Sequence, residues 1–212
     1  MTKLIPALVM AACLGGCQSA YYSTMEKFGV HKREILVDRV EKARDAQKNG
    51  QEEFKSALEQ FKSIIAVDGG LLEKTYNTLN GEYQASESAA EDIRERIDDV
   101  ESVSRALFDE WEDELDKYSS RELRRSSQQQ LDETREKYKS LITSMRAAEK
   151  RLQPVLEKME DQVLYLKHNL NARAISGLKN EVIKIDQDVS VLLKALEDSI
   201  AEAERFIDGM KE

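Results

Sequence analysis

The sequence predicts an all-α protein, an elongated antiparallel four-helix bundle of the up-down-up-down type with coiled-coil-like heptad packing. Three observations lead to this prediction. The 212 residues include only two prolines. Charged residues make up 34% of the chain and hydrophobic residues 41%, so the apolar side chains must be concentrated in stripes rather than in a thick core. Apolar or small residues also recur at alternating steps of four and three in four segments, which is the heptad period of helices packed side by side.

Each of the four segments predicts one helix, and its recurring positions predict the residues that face the core. These seam positions are Leu36, Val40, Ala43, Gln47, Gly50, Phe54, Ala57, Phe61 and Ile64 in the first helix; Leu72, Tyr76, Leu79, Tyr83, Ser86, Ala90, Ile93, Ile97, Val100, Ser104, Leu107 and Trp111 in the second; Leu131, Thr134, Tyr138, Leu141, Met145, Ala148, Leu152, Val155 and Met159 in the third; and Ile175, Leu178, Val182, Ile185, Val189, Leu192 and Leu196 in the fourth. Helices of about 40 to 50 residues would give a rod on the order of 65 Å long.

Breaks in the heptad pattern predict the turns. Asp68-Gly69-Gly70 separates the first two seams, because each glycine costs a helix interior about 1 kcal/mol. Ser119-Ser120 provides an N-cap for the third helix. The third turn is predicted at residues 169–174, with Pro154 kinking the third helix. In the alternative, the third helix ends at Pro154 and one long helix continues to the C-terminus.

The N-terminus resembles a bacterial lipoprotein signal. Lys3 supplies a positive charge, and residues 4–14 form an apolar stretch of the length expected for a signal-peptide core. The run Leu14-Gly15-Gly16-Cys17 resembles a lipobox, which predicts cleavage before Cys17 and lipidation of that cysteine. An ordinary secretory signal and a buried helix are the alternatives.

The lipobox divides the chain into three parts: a signal peptide at residues 1–16, a lipid anchor with a short tether at 17–23, and one helical bundle domain at 24–212. Such a tether reaches roughly 20 Å at most. Gln18 stands where aspartate would resemble an inner-membrane retention signal, so we expect sorting to the outer membrane of a Gram-negative bacterium.

Composition and motifs argue against several functions. Removal of the signal takes away one basic residue, Lys3, and leaves 31 basic against 41 acidic residues, which disfavours binding to nucleic acid. Cys13 leaves with the signal and Cys17 is lipidated, so no thiol remains for a disulfide, a metal site or a nucleophile. Neither His31 nor His168 belongs to a Glu-x-x-His motif, and no glycine-rich phosphate loop occurs. We therefore expect no enzyme, catalytic residue, metal, cofactor or small-molecule substrate.

A cluster close to the anchor favours contact with the membrane. Its members are Tyr21, Tyr22, Lys27, Lys32 and Arg33. Tyrosines favour the headgroup zone, and each cation near an anionic surface contributes about 1 kcal/mol. In the alternative, the cations pair with an acidic stretch at the end of the second helix, which consists of Asp109, Glu110, Glu112, Asp113, Glu114 and Asp116. We expect that stretch to be an ion-paired or solvated face rather than a divalent-cation site, because adjacent carboxylates on a helix point in different directions.

The last predicted turn favours a contact with a partner. Its polar residues are Lys167, His168, Asn169, Asn171 and Arg173, at the end of the rod away from the anchor. The alternative is a turn that only caps the adjoining helix.

Two of these regions carry a family resemblance. Tyr21-Tyr22 with residues 29–40, and residues 161–166 followed by 167–172, resemble the two signatures of an uncharacterised bacterial lipoprotein family, the domain of unknown function 2959. The resemblance covers essentially the whole mature chain. It implies a proteobacterial envelope lipoprotein, and it carries over no activity and no functional residue.

The sequence therefore predicts a lipid-anchored, non-enzymatic scaffold or adaptor on the periplasmic side of the outer membrane. Its expected partner is an envelope protein or a second copy of the chain. The alternative is a membrane-surface module that contacts phospholipid through the end nearest the anchor. A third hypothesis is an apolar ligand held between helices, in a gap where Ala43, Gln47 and Gly50 place small or polar residues on the seam.

Overall fold

The computed structural model describes residues 31–63, 72–169 and 172–211. These residues form five helices and no strand: α1 (Lys32–Ser63), α2 (Leu72–Leu115), α3 (Arg121–Glu149), α4 (Leu152–His168) and α5 (Ala172–Lys211). The 44 residues of α2 span about 65 Å, which is the length of the rod. None of the described helices contains a stretch long and apolar enough to cross a bilayer.

The five helices form four arms. α1 packs against α2 and α5, and those two helices pack on their other sides against α3 and α4. α3 and α4 follow one another along a single arm. α1 and α2 run in opposite directions, since Lys32 pairs with Glu110 near one end and Ser56 bonds Glu82 towards the other. The same reversed order joins α1 to α5 and α2 to α3. The predicted antiparallel four-helix bundle is confirmed.

Two of the three predicted turns can be compared with the structure. Ser120 is the N-cap of α3, as predicted, and its Oγ accepts a hydrogen bond from the backbone N–H of Leu123 at 3.3 Å. The reversal between the last two arms falls between His168 and Ala172, within the predicted segment. The Asp68–Gly70 turn lies outside the described residues.

The third arm breaks slightly before the proline that was expected to kink it. α3 ends at Glu149, Lys150 and Arg151 form a turn, and Pro154 is the third residue of α4. A proline in the first turn of a helix costs little, because its missing N–H would have no acceptor within the helix. The alternative, one helix from Pro154 to the C-terminus, is wrong because α4 ends at His168.

The predicted seams form the core. Every predicted seam position whose side chain the structure describes is buried or half-buried. The half-buried ones carry a polar group that keeps contact with water or a partner, and they are Tyr76, Tyr83, Trp111, Thr134 and Tyr138. Gln47 and Ser86, which are polar, are nevertheless fully buried.

The hypothesis of an apolar ligand beside the first seam is wrong. Ala43 and Gln47 are fully buried by their neighbours. The side chain of Ile93 fills the space beside Gly50, where its Cδ1 would lie 2.6 Å from an added Cβ. The small residues therefore allow a close approach of α1 and α2 rather than leaving room for a ligand.

Candidate functional sites at the two ends of the rod

The described helices define two ends. The proximal end is formed by the start of α1, the turn between α2 and α3 and the end of α5, and Cys17 lies on the N-terminal side of it in the sequence. The distal end is formed by the ends of α1 and α4 and the starts of α2 and α5. Candidate sites predicted from the sequence lie at both ends.

At the proximal end, the structure describes two of the predicted membrane-contacting residues. Lys32 is buried, and its Nζ lies 2.9 Å from Oε1 of Glu110. The Arg33 guanidinium donates a hydrogen bond to the backbone carbonyl of Met210 at the end of α5. Both cations are therefore engaged by neighbouring helices, and for Lys32 the predicted alternative, pairing with the acidic end of α2, is confirmed. Cys17, Tyr21, Tyr22 and Lys27 lie outside the described residues.

The acidic end of α2 is an ion-paired face, as predicted. Four of its carboxylates form salt bridges: Glu110 with Lys32, Glu112 with Arg135, Glu114 with Lys117, and Asp116 with Arg124. The hydrogen bond from Arg135 holds the pKa of the Glu112 carboxyl below its ordinary value. Within the described ranges, no group of three or more His, Cys, Asp or Glu side chains is arranged to hold a metal ion.

α2 and α3 form a hairpin with its own small apolar cluster. Phe108, Leu115 and Leu131 are buried in it. The Nε1–H of Trp111 donates to Oγ of Ser127 at 2.8 Å, so the indole packs on the cluster while its polar edge has a partner. This cluster is separate from the main core, which lies between all four arms.

The end of this hairpin is basic and carries exposed apolar side chains. We call residues 116–125 the hairpin tip. Leu123 is 60% exposed and Tyr118 is also exposed, and both project from a segment with four basic and two acidic residues. Arg121 and Arg125 form no salt bridge with any described residue, and they line a shallow recess together with Glu122. Only the Ser119-Ser120 cap was identified from the sequence in this segment, and the exposed arginines and apolar side chains beside it were missed.

At the distal end, one predicted contact residue has a capping role. Asn169 follows the last residue of α4, its Nδ2 donates to the carbonyl of Tyr165 at 2.9 Å, and its backbone N–H donates to the carbonyl of Leu166 at 3.1 Å. The capping alternative is therefore confirmed for Asn169. Lys167 and His168 are exposed at the end of α4. Asn171 and the side chain of Arg173 lie outside what the structure describes.

Exposed apolar residues near the distal end were not predicted. Leu164, Tyr165 and Ile183 are exposed, the last to 56%. Lys158 of α4 pairs with Asp188 of α5, so Leu164 and Ile183 both lie roughly 8 to 9 Å beyond that pair towards the distal end. We call these three residues the distal apolar residues. The signal that could have revealed them is an apolar residue at a heptad position outside the seam.

Comparison with known proteins places the chain in a family without adding a function. A search of curated proteins found no match. A family model described as "Protein of unknown function (DUF2959)" matches residues 21–210, which include every described residue except Lys211. That match agrees with the resemblance seen in the two sequence signatures. The chain belongs to the DUF2959 family.

Proposed function

We propose that this chain is a non-enzymatic scaffold or adaptor of the cell envelope, anchored by lipid at Cys17 to the periplasmic side of the outer membrane. The run Leu14-Gly15-Gly16-Cys17 supports the anchor, and Gln18 supports sorting to the outer membrane. The length of the bundle supports an adaptor role, because a rod of about 65 Å can hold two binding partners apart at its two ends.

One observation carries the adaptor role. Among the described residues, six large apolar side chains are exposed, and five of them lie towards the two ends of the rod. Tyr118 and Leu123 lie at the proximal end, and the distal apolar residues lie near the other. Several exposed apolar groups at one level of a rod favour an interaction surface, whereas single ones scattered over a surface are ordinary. The distal surface therefore fits an envelope protein or a second copy of the chain.

Site-specific cross-linking in cells tests the distal contact. A photoreactive phenylalanine analogue is placed at Tyr165, and in a matched control at Val191, which is exposed to a similar extent but lies nearer the middle of the rod. We expect one defined protein adduct from position 165, none from position 191, and loss of the adduct when Ile183→Ser is added. Equal adducts from both positions would contradict the proposal. Sedimentation of the Cys17→Ser chain separates self-association from binding to another protein.

The anchor has its own test. Mass spectrometry of the protein from its native host should find Cys17 as the first residue, carrying acyl chains, and Cys17→Ala should release the protein from the membrane fraction. An unmodified Cys17 in the native protein would refute the anchor.

A second candidate function is a membrane-surface module that contacts phospholipid through the proximal end. Lys32 and Arg33 contribute little to it, since neighbouring helices engage both. The hairpin tip favours it instead, because that tip combines exposed arginines with exposed apolar groups at the end nearest the anchor.

A further inference from the structure

We infer that the hairpin tip is a second membrane contact, which binds anionic phospholipid headgroups through Arg121 and Arg125 and inserts Leu123 and Tyr118 among them. The inference rests on the proposed anchor for its orientation, because an anchor at Cys17 is what directs the proximal end to a bilayer. The surface itself is defined by described residues alone.

The first argument is the reach of the hairpin. Lys137 of α3 lies beside Gly209, two residues before the end of α5. α3 continues from there to Arg121, which is roughly 24 Å further along the rod axis. The salt bridge between Lys32 and Glu110 places the first residues of α1 level with Glu110, so α1 does not reach the tip either. Of the described residues, only those of the α2–α3 hairpin extend this far.

The second argument is the length of chain between the anchor and α1. Fourteen residues separate Cys17 from Lys32. Such a segment spans from about 21 Å if helical to about 50 Å if extended. This range includes the roughly 24 Å by which α3 extends beyond the end of α5. A bilayer that holds acyl chains on Cys17 is therefore within reach of the tip.

The third argument is the chemistry of the tip. Leu123 is the most exposed large apolar residue among those described, and it shares the first two turns of α3 with Arg121 and Arg125, which form no salt bridge with a described residue. Guanidinium groups bind phosphate through paired hydrogen bonds. Tyrosine and leucine beside such cations are typical of segments that lie at the boundary between headgroups and acyl chains.

The fourth argument is charge. The whole chain carries a formal net charge of −9, whereas residues 116–125 carry four basic and two acidic side chains, a net charge of +2. Screening at about 0.1 M salt limits electrostatic interactions to about 10 Å. The tip lies farther than that from the described end of α5, so the charges of α5 are screened from it, and its own excess of two basic residues favours an anionic surface.

Flotation with vesicles tests the inference. The protein is the mature polypeptide, residues 17–212 with Cys17→Ser, which keeps every described residue and carries no acyl chain. Vesicles of phosphatidylcholine with 30% phosphatidylglycerol, as a chosen composition, are compared with pure phosphatidylcholine at low salt. We expect binding to the anionic vesicles alone, and a loss of roughly 30-fold in the binding constant for Arg121→Gln/Arg125→Gln, from about 1 kcal/mol per charge. Leu123→Ser should weaken binding as well.

Matched controls make the result specific to the tip. Lys139→Gln/Lys150→Gln removes the same charge from exposed positions of the third arm that form no salt bridge with a described residue, and Val191→Ser removes an exposed apolar group of the middle of the rod. These variants should bind like the parent protein. Circular dichroism should find all variants equally helical, because none of the substituted side chains is buried.

Three outcomes would overturn the inference: equal losses in tip and control variants, equal binding to both vesicle types, or no binding at all. If residues 18–30 of the same chain covered the tip, the tip variants would bind vesicles like the parent protein, and that result would also contradict the inference. The result is independent of the anchor, because acylation of Cys17 is measured separately by mass spectrometry of the native protein. If the tip binds vesicles and native Cys17 is unmodified, the anchor is refuted and the membrane contact of the tip is supported. If Cys17 is acylated and the tip binds no vesicles, the anchor is supported and the membrane contact of the tip is refuted.

Discussion

Ile93 of α2 occupies the space that any side chain larger than hydrogen would need at Gly50 of α1. A Cβ added to Gly50 would lie 2.6 Å from Cδ1 of Ile93, and both residues are buried. Glycine in a helix interior costs about 1 kcal/mol relative to alanine. The contact explains why glycine is nevertheless suited to position 50, since it lets α1 and α2 approach closely around the isoleucine.

The first prediction is that Gly50 and Ile93 are energetically coupled. Gly50→Ala should lower the free energy of unfolding by roughly 0 to 2 kcal/mol, because overpacking outweighs the gain in helix propensity. Ile93→Val removes the Cδ1 atom and should cost about 0.5 to 1.5 kcal/mol alone. The double variant should be more stable than the sum of the two effects, as urea unfolding would measure.

Gly81 of α2 provides the control for this pair. A Cβ at Gly81 would meet no atom within 4 Å. Gly81→Ala should therefore stabilise the protein by about 0.5 to 1 kcal/mol and show no coupling to Ile93→Val. If the effects of Gly50→Ala and Ile93→Val on the free energy of unfolding simply added in the double variant, the close contact would make no contribution to stability.

The second prediction concerns a buried polar contact between α1 and α5. The hydroxyl of Ser199 donates to Oε1 of Gln47 at 3.0 Å, and both side chains are fully buried. Nε2 of Gln47 has no hydrogen-bond partner among the residues that the structure describes. Ser199→Ala should cost about 1 to 3 kcal/mol, because it leaves the amide oxygen unpaired as well. Gln47→Leu/Ser199→Ala should recover most of that loss in thermal unfolding, since this contact then contains no buried polar group without a partner. A double variant less stable than Ser199→Ala would contradict this explanation.

The seams were predictable from the sequence because heptad spacing is a local property of each helix. Once four helices share that spacing, their apolar positions have to face one another, and even the polar Gln47 and Ser86 are buried by their place in the repeat. The Ser120 cap was predictable for the same reason, since a cap depends on residues within one turn.

Contacts between arms were not predictable in the same way. Arg146 bonds carboxylates 45 and 48 residues earlier in the chain, and only the register of α2 against α3 brings them together. The exposure of Leu123 likewise depends on which faces of α3 the other arms cover. The family match adds no site residue, so the candidate sites rest on exposure and charge alone.

The third prediction is that Arg146 stabilises the α2–α3 contact through the shape of its guanidinium. Its Nε and Nη2 lie 3.0 and 2.8 Å from the Glu101 carboxylate, Nη2 also donates to Asp98, and Nη1 donates to Glu149. The hydrogen bonds with Glu101, above all, raise the pKa of the Arg146 guanidinium above its ordinary value. Arg146→Lys keeps the positive charge but cannot make the paired hydrogen bonds of a planar guanidinium. We therefore expect the free energy of unfolding, measured in urea, to fall by about 1 to 2 kcal/mol.

Arg205→Lys is the control for this substitution. Arg205 is exposed, and among the described residues it bonds only Glu202, a neighbour on the same helix. Such surface pairs contribute about 0 to 1 kcal/mol. The exchange at position 205 should therefore have a smaller effect than the one at 146. Equal effects at both positions would indicate that the network adds nothing beyond single ion pairs.

The fourth prediction is that the α2–α3 hairpin opens more readily than the rest of the bundle. Between Arg121 and Gln130, only Ser127 is buried, whereas α1 buries a residue in every turn. Local opening is governed by the buried apolar contacts that hold a segment. Backbone amides of residues 121–130 should exchange with deuterium roughly 100-fold faster than those of residues 54–61, as mass spectrometry would measure. Equal protection of the two segments would refute this gradient of stability along the rod.

The fifth prediction is a loss of stability in acid that depends on Glu202. A hydrogen bond from Ser140 of α3, followed by one from Arg205, lowers the pKa of the Glu202 carboxyl below its ordinary value of 4.5. A carboxyl whose pKa is lowered by folding contributes stability above the unfolded pKa and loses it as the pH falls through the folded pKa. The free energy of unfolding should therefore fall below about pH 4.5 less steeply in Glu202→Gln than in the parent protein. Ser140→Ala, which keeps the carboxylate but removes its main hydrogen bond, should shift the curve in the same direction, and an unchanged slope in both variants would exclude Glu202 as a source of the acid sensitivity.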